Sequence, residues 1–205
     1  MTMSDNELRG IATFAYETGR LKRLARDGWE NAWVSDPESV AEHSHRTAVL
    51  AYIIAILEGS SNPERAATLG VFHDLPETRL GDKNAVTRRY VTTADPRDVI
   101  HDQTTCLPDG LATRIRELVD EHESCKGPDA TLEARCSHDA DKLECLLQAR
   151  EYEAAGNQNM QVFKDTMLDA LLTPTGKALG QTALETDPAT WWLEFSANIG
   201  RIGRA

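Results

Sequence analysis

The chain has 205 residues, of which 40% are hydrophobic and 27% charged, and this composition is typical of one soluble globular domain. Its 33 acidic and 22 basic residues give a formal net charge of −11. This charge argues against a general nucleic-acid-binding protein, because such proteins use Lys and Arg to neutralise phosphates. The longest apolar run, residues 48–57, is too short to cross a bilayer, which needs about 20 residues.

Capping signatures predict where the first helices begin. The segment SDNE, residues 4–7, has the spacing of a capping box and precedes apolar residues that recur at the helical period. The segment SVAE, residues 39–42, repeats that signature before a long apolar helix, which we expect to end near Gly59. Pro63 follows an asparagine and predicts the next start, because proline is favoured in the first turn of a helix.

The rest of the chain also follows the helical period. Asp95-Pro96 and Asp187-Pro188 predict two further helix starts, and only residues 85–93 have a weak strand pattern. We predict other helices over residues 111–124, 129–155, 159–172 and 174–185. Because no repeat or proline-rich linker divides the chain, the sequence predicts a single all-α domain over residues 1–205.

The cysteines and the N-terminal residues indicate the compartment. The four cysteines show no C-x-x-C spacing, so we expect reduced thiols rather than a structural zinc site, with Cys145 in the core. The first ten residues lack the basic and apolar regions of a signal peptide. We therefore expect a cytoplasmic protein with no membrane segment. Trp191-Trp192 is interpreted as intramolecular packing or a subunit contact.

The dipeptide His-Asp occurs three times, as His73-Asp74, His101-Asp102 and His138-Asp139. With 33 acidic residues in the chain, such pairs arise easily by chance. The first pair differs in context, because it ends a predicted helix just before Pro76. Neighbouring side chains on a helix point about 100° apart, so they share an ion most easily at a helix end. His and Asp suit divalent metal ions, although a histidine there also simply favours the helix dipole.

Five segments occur in order along the chain: GRLKR (19–23), GW (28–29), PESVAEHS (37–44), HDLPETRLGD (73–82) and DKLECLLQAREYE (141–153). Together they resemble the HD-domain metal-dependent phosphohydrolase superfamily, and most closely its 5′-deoxynucleotidase branch of YfbR-like and HDDC2-like proteins. The resemblance covers roughly residues 16–155. It implies an HD-domain helical bundle with additional C-terminal helices over residues 157–205. It also implies a homodimer that hydrolyses (deoxy)nucleoside 5′-monophosphates, while the net charge of −11 indicates no nucleic-acid partner.

The resemblance implies one divalent metal ion per chain, held by two histidines and two aspartates: His43, His73, Asp74 and Asp141. Asp139 is the main competitor of Asp141 for the last position. Mn²⁺, Co²⁺, Mg²⁺, Fe²⁺ and Zn²⁺ all suit these ligand types. His45 is assigned a supporting or structural role, His101 is expected at the surface, and His122 is expected to face solvent.

Two carboxylates follow the His-Asp pair, and the resemblance gives Glu77 and Asp82 catalytic or substrate-positioning roles. Glu77 lies three residues after Asp74, a spacing that returns its carboxylate to the metal side, where it would accept a proton from the attacking water. The alternative is that both are helix-flanking carboxylates on a solvated face.

Trp29 corresponds to the family tryptophan that packs near the nucleoside sugar. Here Gly28, rather than the arginine of YfbR-like proteins, precedes it, so the cation that meets the phosphate stays open. Arg26 is the first candidate, followed by Arg23 and Lys83. Two alternative functions also remain: an HD phosphohydrolase acting on another phosphorylated nucleotide, such as a triphosphate or pathway intermediate, and a non-catalytic metal- or nucleotide-binding module.

Overall fold

The structure is a computed structural model that describes residues 3–198, apart from the side chains of residues 194, 197 and 198. Its helices are α1 (Asp5–Thr18), α2 (Val40–Leu57), α3 (Pro63–Phe72), α4 (Glu77–Leu80), α5 (Ala85–Tyr90), α6 (Pro96–Gln103), α7 (Asp109–Glu123), α8 (Leu132–Ala154), α9 (Gln161–Asp169), α10 (Pro174–Glu185) and α11 (Thr190–Asn198). Short 3₁₀ segments cover Gly19–Arg23, Asp27–Ala32 and Gln158–Met160. No strand occurs within residues 3–198, which confirms the all-α prediction.

The predicted helix starts are formed by the side chains that the sequence indicated. Ser4 and Ser39 each complete a capping box, with Glu7 and Glu42 respectively. Helix α2 ends at Leu57, followed by Gly59 in the left-handed region (φ 79°), a conformation that glycine adopts without strain. These caps satisfy backbone groups that a helix end otherwise leaves without partners.

Helices α2, α3 and α8 form the centre of the molecule. They meet through small side chains with no exposed surface, among them Ala51, Ala66 and Ala140. A Cβ on Gly70 would lie only 3.0 Å from the Cα of Ala48, so glycine allows the end of α3 to lie directly against α2. This close approach brings the C-terminal end of α3 next to the first turn of α2.

The weak strand predicted over residues 85–93 is wrong, because this segment begins with helix α5. The side chain of Asn84 accepts a hydrogen bond from the backbone N–H of Thr87 at 2.9 Å and thereby caps the helix. The Asn84 side-chain amide in turn donates to Asp27 at 2.7 Å, which ties this cap to the segment before Trp29. A local side-chain cap therefore outweighs the β-branched composition of the segment.

The C-terminal helices α9 and α10 pack against α8, whereas α11 leaves its aromatic residues in solvent. Trp191 and Trp192 are 71% and 47% exposed, so their predicted packing within the chain is wrong, while a subunit contact stays a prediction.

All four cysteines are free, and Cys145 is buried as predicted. Among the described helices, none combines the length and apolar character needed to span a bilayer.

Candidate metal centre and active site

The fold brings together four side chains from three helices. His43 lies in the first turn of α2, His73 and Asp74 follow the end of α3, and Asp141 lies in the middle of α8. Nε2 of His43 is 3.2 Å from Oδ1 of Asp141 and 3.7 Å from Oδ2 of Asp74. Nε2 of His73 is 3.1 Å from the same Asp74 oxygen. One ligand atom each from His43, His73 and Asp141 lies within 4.8 Å of the others, a spacing suited to one metal ion.

The two histidines of this cluster are oriented by hydrogen bonds on their far nitrogens. Nδ1 of His43 is 2.5 Å from Oε2 of Glu144, and Nδ1 of His73 is 2.9 Å from the backbone carbonyl of Gly70. Both acceptors require a proton on Nδ1, which leaves Nε2 directed into the cluster. Nε2 of His73 is buried, and its 3.1 Å approach to Asp74 lacks hydrogen-bond geometry, so it has no hydrogen-bond partner among residues 3–198. This donor set fits a divalent cation.

The charges of the cluster favour ionised carboxylates. Burial raises the pKa of Asp74, but the charges of His73 and Arg26 outweigh it and hold this pKa far below its usual range. The pKa of Asp141 is also lowered, because Lys142 and His43 outweigh its burial. Burial and Arg26 lower the pKa of His43, yet hydrogen bonds to Asp141 and Glu144 raise it to about 10. Carboxylate oxygens of Asp74 and Asp141 therefore lie next to Nε2 of His43, where a cation would bind.

Asp139, the sequence competitor of Asp141, lies on a different side of α8. Its carboxylate accepts hydrogen bonds from the backbone N–H groups of Leu172 and Thr173, at 2.8 and 2.7 Å, and from the Thr173 hydroxyl at 2.7 Å. These bonds tie α8 to the start of α10. The structure thus brings Asp141, rather than Asp139, to the two histidines.

Glu77 and Asp82 lie beside the cluster, around the short helix α4. Burial raises the pKa of Glu77 to about 10, and the neighbouring charges of Asp74 and Asp82 add to this effect. Oε2 of Glu77 is buried without a hydrogen-bond partner in the described part of the chain. Oδ2 of Asp82 accepts from the backbone N–H of Asp27 at 3.0 Å. The alternative of two solvated carboxylates is therefore wrong.

Arg26 joins the two sets of acidic side chains. Its NH1 group lies 3.4 Å from Asp74 and its Nε lies 3.6 Å from Asp82. Burial lowers the pKa of Arg26, but Asp82 and Asp74 outweigh it and keep this pKa well above its usual range. Arg26 is therefore a permanent positive charge within the acidic site.

The cluster opens into a cavity of about 710 Å³, a volume in the range of small-molecule sites. Arg26 and Lys83 line it, whereas Arg23 is exposed and is not among the lining residues. Trp29 contributes one wall. It is only 2% exposed, packs against Phe163 with ring centroids 4.6 Å apart, and donates from Nε1 to Glu38.

Several site residues were missed from the sequence. Glu144 lies three residues after Asp141, a spacing that places both on one face of α8 and offered a usable signal. Nζ of Lys142 lies 2.6 Å from Oδ2 of Asp141. Two further cations, Arg88 and Lys126, also line the cavity, and because they come from separate elements no sequence spacing indicates them.

The remaining histidines correct the sequence interpretation in two places. His122 was expected in solvent but is 7% exposed and lines the cavity, because it continues the buried stripe of Ile115, Leu118 and Val119 on α7. Burial and the charge of His73 lower the pKa of His122 to about 3. His45 was expected in a supporting role, but it is exposed on the far side of α2. His101 is exposed, as predicted.

Comparison with known proteins gives matches across most of the chain. Residues 18–181 match the HD domain family. A 5′-deoxynucleotidase HDDC2 from Bos taurus is 32% identical over 177 residues, which cover 80% of this chain and 80% of the relative. A 5′-deoxynucleotidase hdd1 from Schizosaccharomyces pombe is 30% identical over 168 residues, with 79% and 82% covered. The solved structure of a conserved hypothetical protein from Pyrococcus furiosus matches with a TM-score of 0.68 and 26% identity, covering 85% of this chain and 99% of that one.

Proposed function

This chain belongs to the HD-domain family, and from that premise we propose that it is a metal-dependent phosphohydrolase that converts (deoxy)nucleoside 5′-monophosphates into nucleoside and phosphate. The observation that carries this proposal is the meeting of His43, His73 and Asp141 beside the buried carboxyl of Glu77. The relatives named 5′-deoxynucleotidases support the same reaction, since they match this chain over most of its length.

We propose that one divalent ion per chain is bound by His43, His73, Asp74 and Asp141. Their two imidazole nitrogens and two carboxylates suit Mn²⁺, Co²⁺, Mg²⁺, Fe²⁺ or Zn²⁺. When bound, such an ion lowers the pKa of a coordinated water and neutralises phosphoryl oxygens. Glu144 and the carbonyl of Gly70 keep the two histidine rings in the required orientation.

Glu77 is the residue that we assign to orient the attacking water and accept its proton. Its carboxyl opens α4 immediately after the His-Asp pair, and its Oε2 is free of protein partners within residues 3–198. Positive charge brought next to Asp74 favours the ionised form that a base requires, which offsets the raised pKa. Asp82 holds the backbone of Asp27 and the side chain of Arg26 in place.

Arg26 is our first choice for the cation that binds the phosphate, with Lys83 as the second. Both line the cavity, and Arg26 lies within 3.4 Å of Asp74, so a phosphate near the proposed ligands would lie within its reach. Arg23 is not proposed for this role, because it lies outside the cavity. Trp29, together with Phe163 and Met167, forms an apolar wall for the nucleoside.

A second candidate is hydrolysis of a nucleotide with more than one phosphate group. The observation that favours it is the presence of Lys83, Arg88 and Lys126 along the cavity, since none of these cations has a carboxylate partner among the described residues. A purely binding module is disfavoured, because binding has no need for a buried carboxyl with the position of Glu77.

We also propose a homodimer in the cytoplasm. Val49, Ile53, Ile56 and Leu57 form an exposed apolar stripe on α2, which we call the α2 stripe. A helix that is apolar on its solvent side usually meets another surface, and a second copy of the chain supplies an identical one. The four free cysteines support a reducing compartment.

Phosphate release from a panel of deoxy- and ribonucleoside mono- and triphosphates, measured with the Mn²⁺-loaded protein, tests the function. We expect inorganic phosphate from deoxynucleoside monophosphates, and a Glu77→Gln variant that binds them without turnover. Release only from triphosphates would favour the second candidate. Nucleotide binding without release from any compound would leave a binding module.

A further inference from the structure

His122 is a buried imidazole in the cavity wall that neither the proposed ligand set nor the proposed base uses. Its ring packs against that of the proposed ligand His73, with centroids 4.9 Å apart, and its side chain lines the same cavity as Glu77. It comes from the last turn of α7, whereas the proposed ligands come from α2, α3 and α8. His122 thus reaches the site from a separate wall.

The partner of Nδ1 decides which hydrogen bond His122 offers to the cavity. Nδ1 lies 3.0 Å from the hydroxyl oxygen of Ser137, which has no exposed surface. Among residues 3–198, the Ser137 hydroxyl has no other hydrogen-bond partner, so its proton is satisfied only if it is donated to Nδ1. Nδ1 is then an acceptor, and the proton of the neutral ring resides on Nε2.

This arrangement is the reverse of that in His43 and His73. Those rings donate from Nδ1 to Glu144 and to the Gly70 carbonyl, so Nε2 is the nitrogen left to bind a cation. The His122 ring accepts at Nδ1 and presents an N–H group instead. An N–H group cannot ligate a metal ion, but it suits an anionic oxygen.

We propose that His122 donates a hydrogen bond from Nε2 to a phosphoryl oxygen of the substrate, an inference that rests on the proposed phosphohydrolase function. Ser137 is the positioning residue that fixes the required tautomer. Through this bond His122 stabilises the charged phosphoryl group, while its Nδ1 stays engaged with Ser137. The competing role is simple packing, in which the ring only supports His73.

Three variants separate donation from packing. His122→Phe keeps an aromatic ring against His73 but removes the donor. His122→Gln gives up part of the ring contact but places an amide N–H near the position of Nε2. Ser137→Ala leaves both side chains of the ring contact in place and removes the group that fixes the tautomer.

The experiment measures binding of inorganic phosphate to the Mn²⁺-loaded proteins by calorimetry, together with Mn²⁺ affinity and kcat/KM for a deoxynucleoside monophosphate. We expect His122→Phe to weaken phosphate binding and to lower kcat/KM by about 10- to 100-fold, with Mn²⁺ affinity unchanged. His122→Gln should regain a large part of both losses. Phosphate binding in His122→Phe that equals that of the wild type would overturn the proposal. So would losses of phosphate binding and kcat/KM in His122→Gln as large as those in His122→Phe.

The tautomer gives a second test that needs no folded variant at position 122. Nitrogen NMR of the imidazole rings in the Mg²⁺-loaded wild-type protein should show the His122 proton on Nε2, and Ser137→Ala should weaken this preference. A proton on Nδ1 in the wild type would contradict the proposal. Phosphate binding can be measured without turnover. A wild type that binds phosphate but hydrolyses no nucleotide would therefore refute the proposed function. Phosphate binding by His122→Phe and His122→Gln would still show whether His122 donates to the phosphoryl oxygen.

Discussion

Nδ1 of His43 lies 2.5 Å from Oε2 of Glu144, which is 101 residues further along the chain. Glu144 also accepts from Nε of Arg46 at 2.9 Å, so its carboxylate is held on both oxygens. A carboxylate behind a histidine fixes the ring and increases its basicity toward a cation on the other nitrogen. The contact between α2 and α8 therefore determines how His43 faces the proposed metal.

Replacing Glu144 by Gln should weaken Mn²⁺ binding by about 10- to 100-fold, because His43 loses its charged acceptor. Competition with a chelating dye measures the dissociation constant. Glu151→Gln is the matched control, since Glu151 pairs with the same Arg46 at 2.6 Å but is more exposed. Equal Mn²⁺ affinity in Glu144→Gln and the wild type would show that this carboxylate does not support the ligand.

Replacing Glu77 by Gln should stabilise the metal-free protein increasingly as pH rises. The pKa of Glu77 is about 10 in the folded chain, against an ordinary value of 4.5, so between these values the folded state holds a proton that the unfolded state releases. Because the unfolded state then binds fewer protons, wild-type stability falls with rising pH, and glutamine removes this loss.

Urea unfolding at a series of pH values between 5 and about 9 measures the difference between Glu77→Gln and the wild type. Glu30→Gln, at an exposed position, serves as the control for a general charge effect. A constant difference across this range would mean that Glu77 is already ionised in the folded protein.

Asp139 and Asp141, which flank Ala140 in α8, should have separable roles. Asp139→Ala removes the acceptor of three hydrogen bonds at the start of α10, so we expect a loss of at least about 1–3 kcal/mol of stability with metal binding retained. Asp141→Asn should lose metal binding while the helices remain folded. Thermal unfolding and metal analysis of both variants measure these effects, and loss of metal in Asp139→Ala alone would reverse the assignment.

The helices were predictable where the stabilising interaction is local. Ser39 caps α2 through residues three positions away, and that pattern is visible in the sequence. Asn84 caps α5 in the same way, but its signal was missed because the β-branched residues after it suggested a strand. Helix starts thus follow from neighbouring residues, while a composition argument over a short segment is less secure.

The site was predictable only in part, because some of its residues meet through the packing of distant helices. The HD-domain motifs indicated His43 and Asp141, and the helical period would have indicated Glu144 and His122. In contrast, the position of Lys126 in the cavity depends on how α7 and α8 pack, and no spacing along the chain encodes it. Tertiary contacts, rather than local propensity, determine which charged residues surround the substrate.

The α2 stripe should mediate the proposed homodimer. Ile53→Lys places a charge in the middle of this stripe, so we expect dissociation to a monomer, seen by size-exclusion chromatography with light scattering. Val162→Lys, at an exposed position of α9, is the control for adding a charge elsewhere. A mass that is the same for Ile53→Lys and the wild type would place any dimer interface on another surface.

Metal-dependent phosphate release from a deoxynucleoside monophosphate tests the central claim most directly. The protein is stripped of metal with a chelator and then supplied with Mn²⁺, in parallel with Asp74→Asn. We predict no release from the stripped protein, recovery on adding Mn²⁺, and no recovery in Asp74→Asn. Equal release by the stripped and Mn²⁺-loaded proteins, or full activity in Asp74→Asn, would contradict a metal-dependent phosphohydrolase centred on these residues.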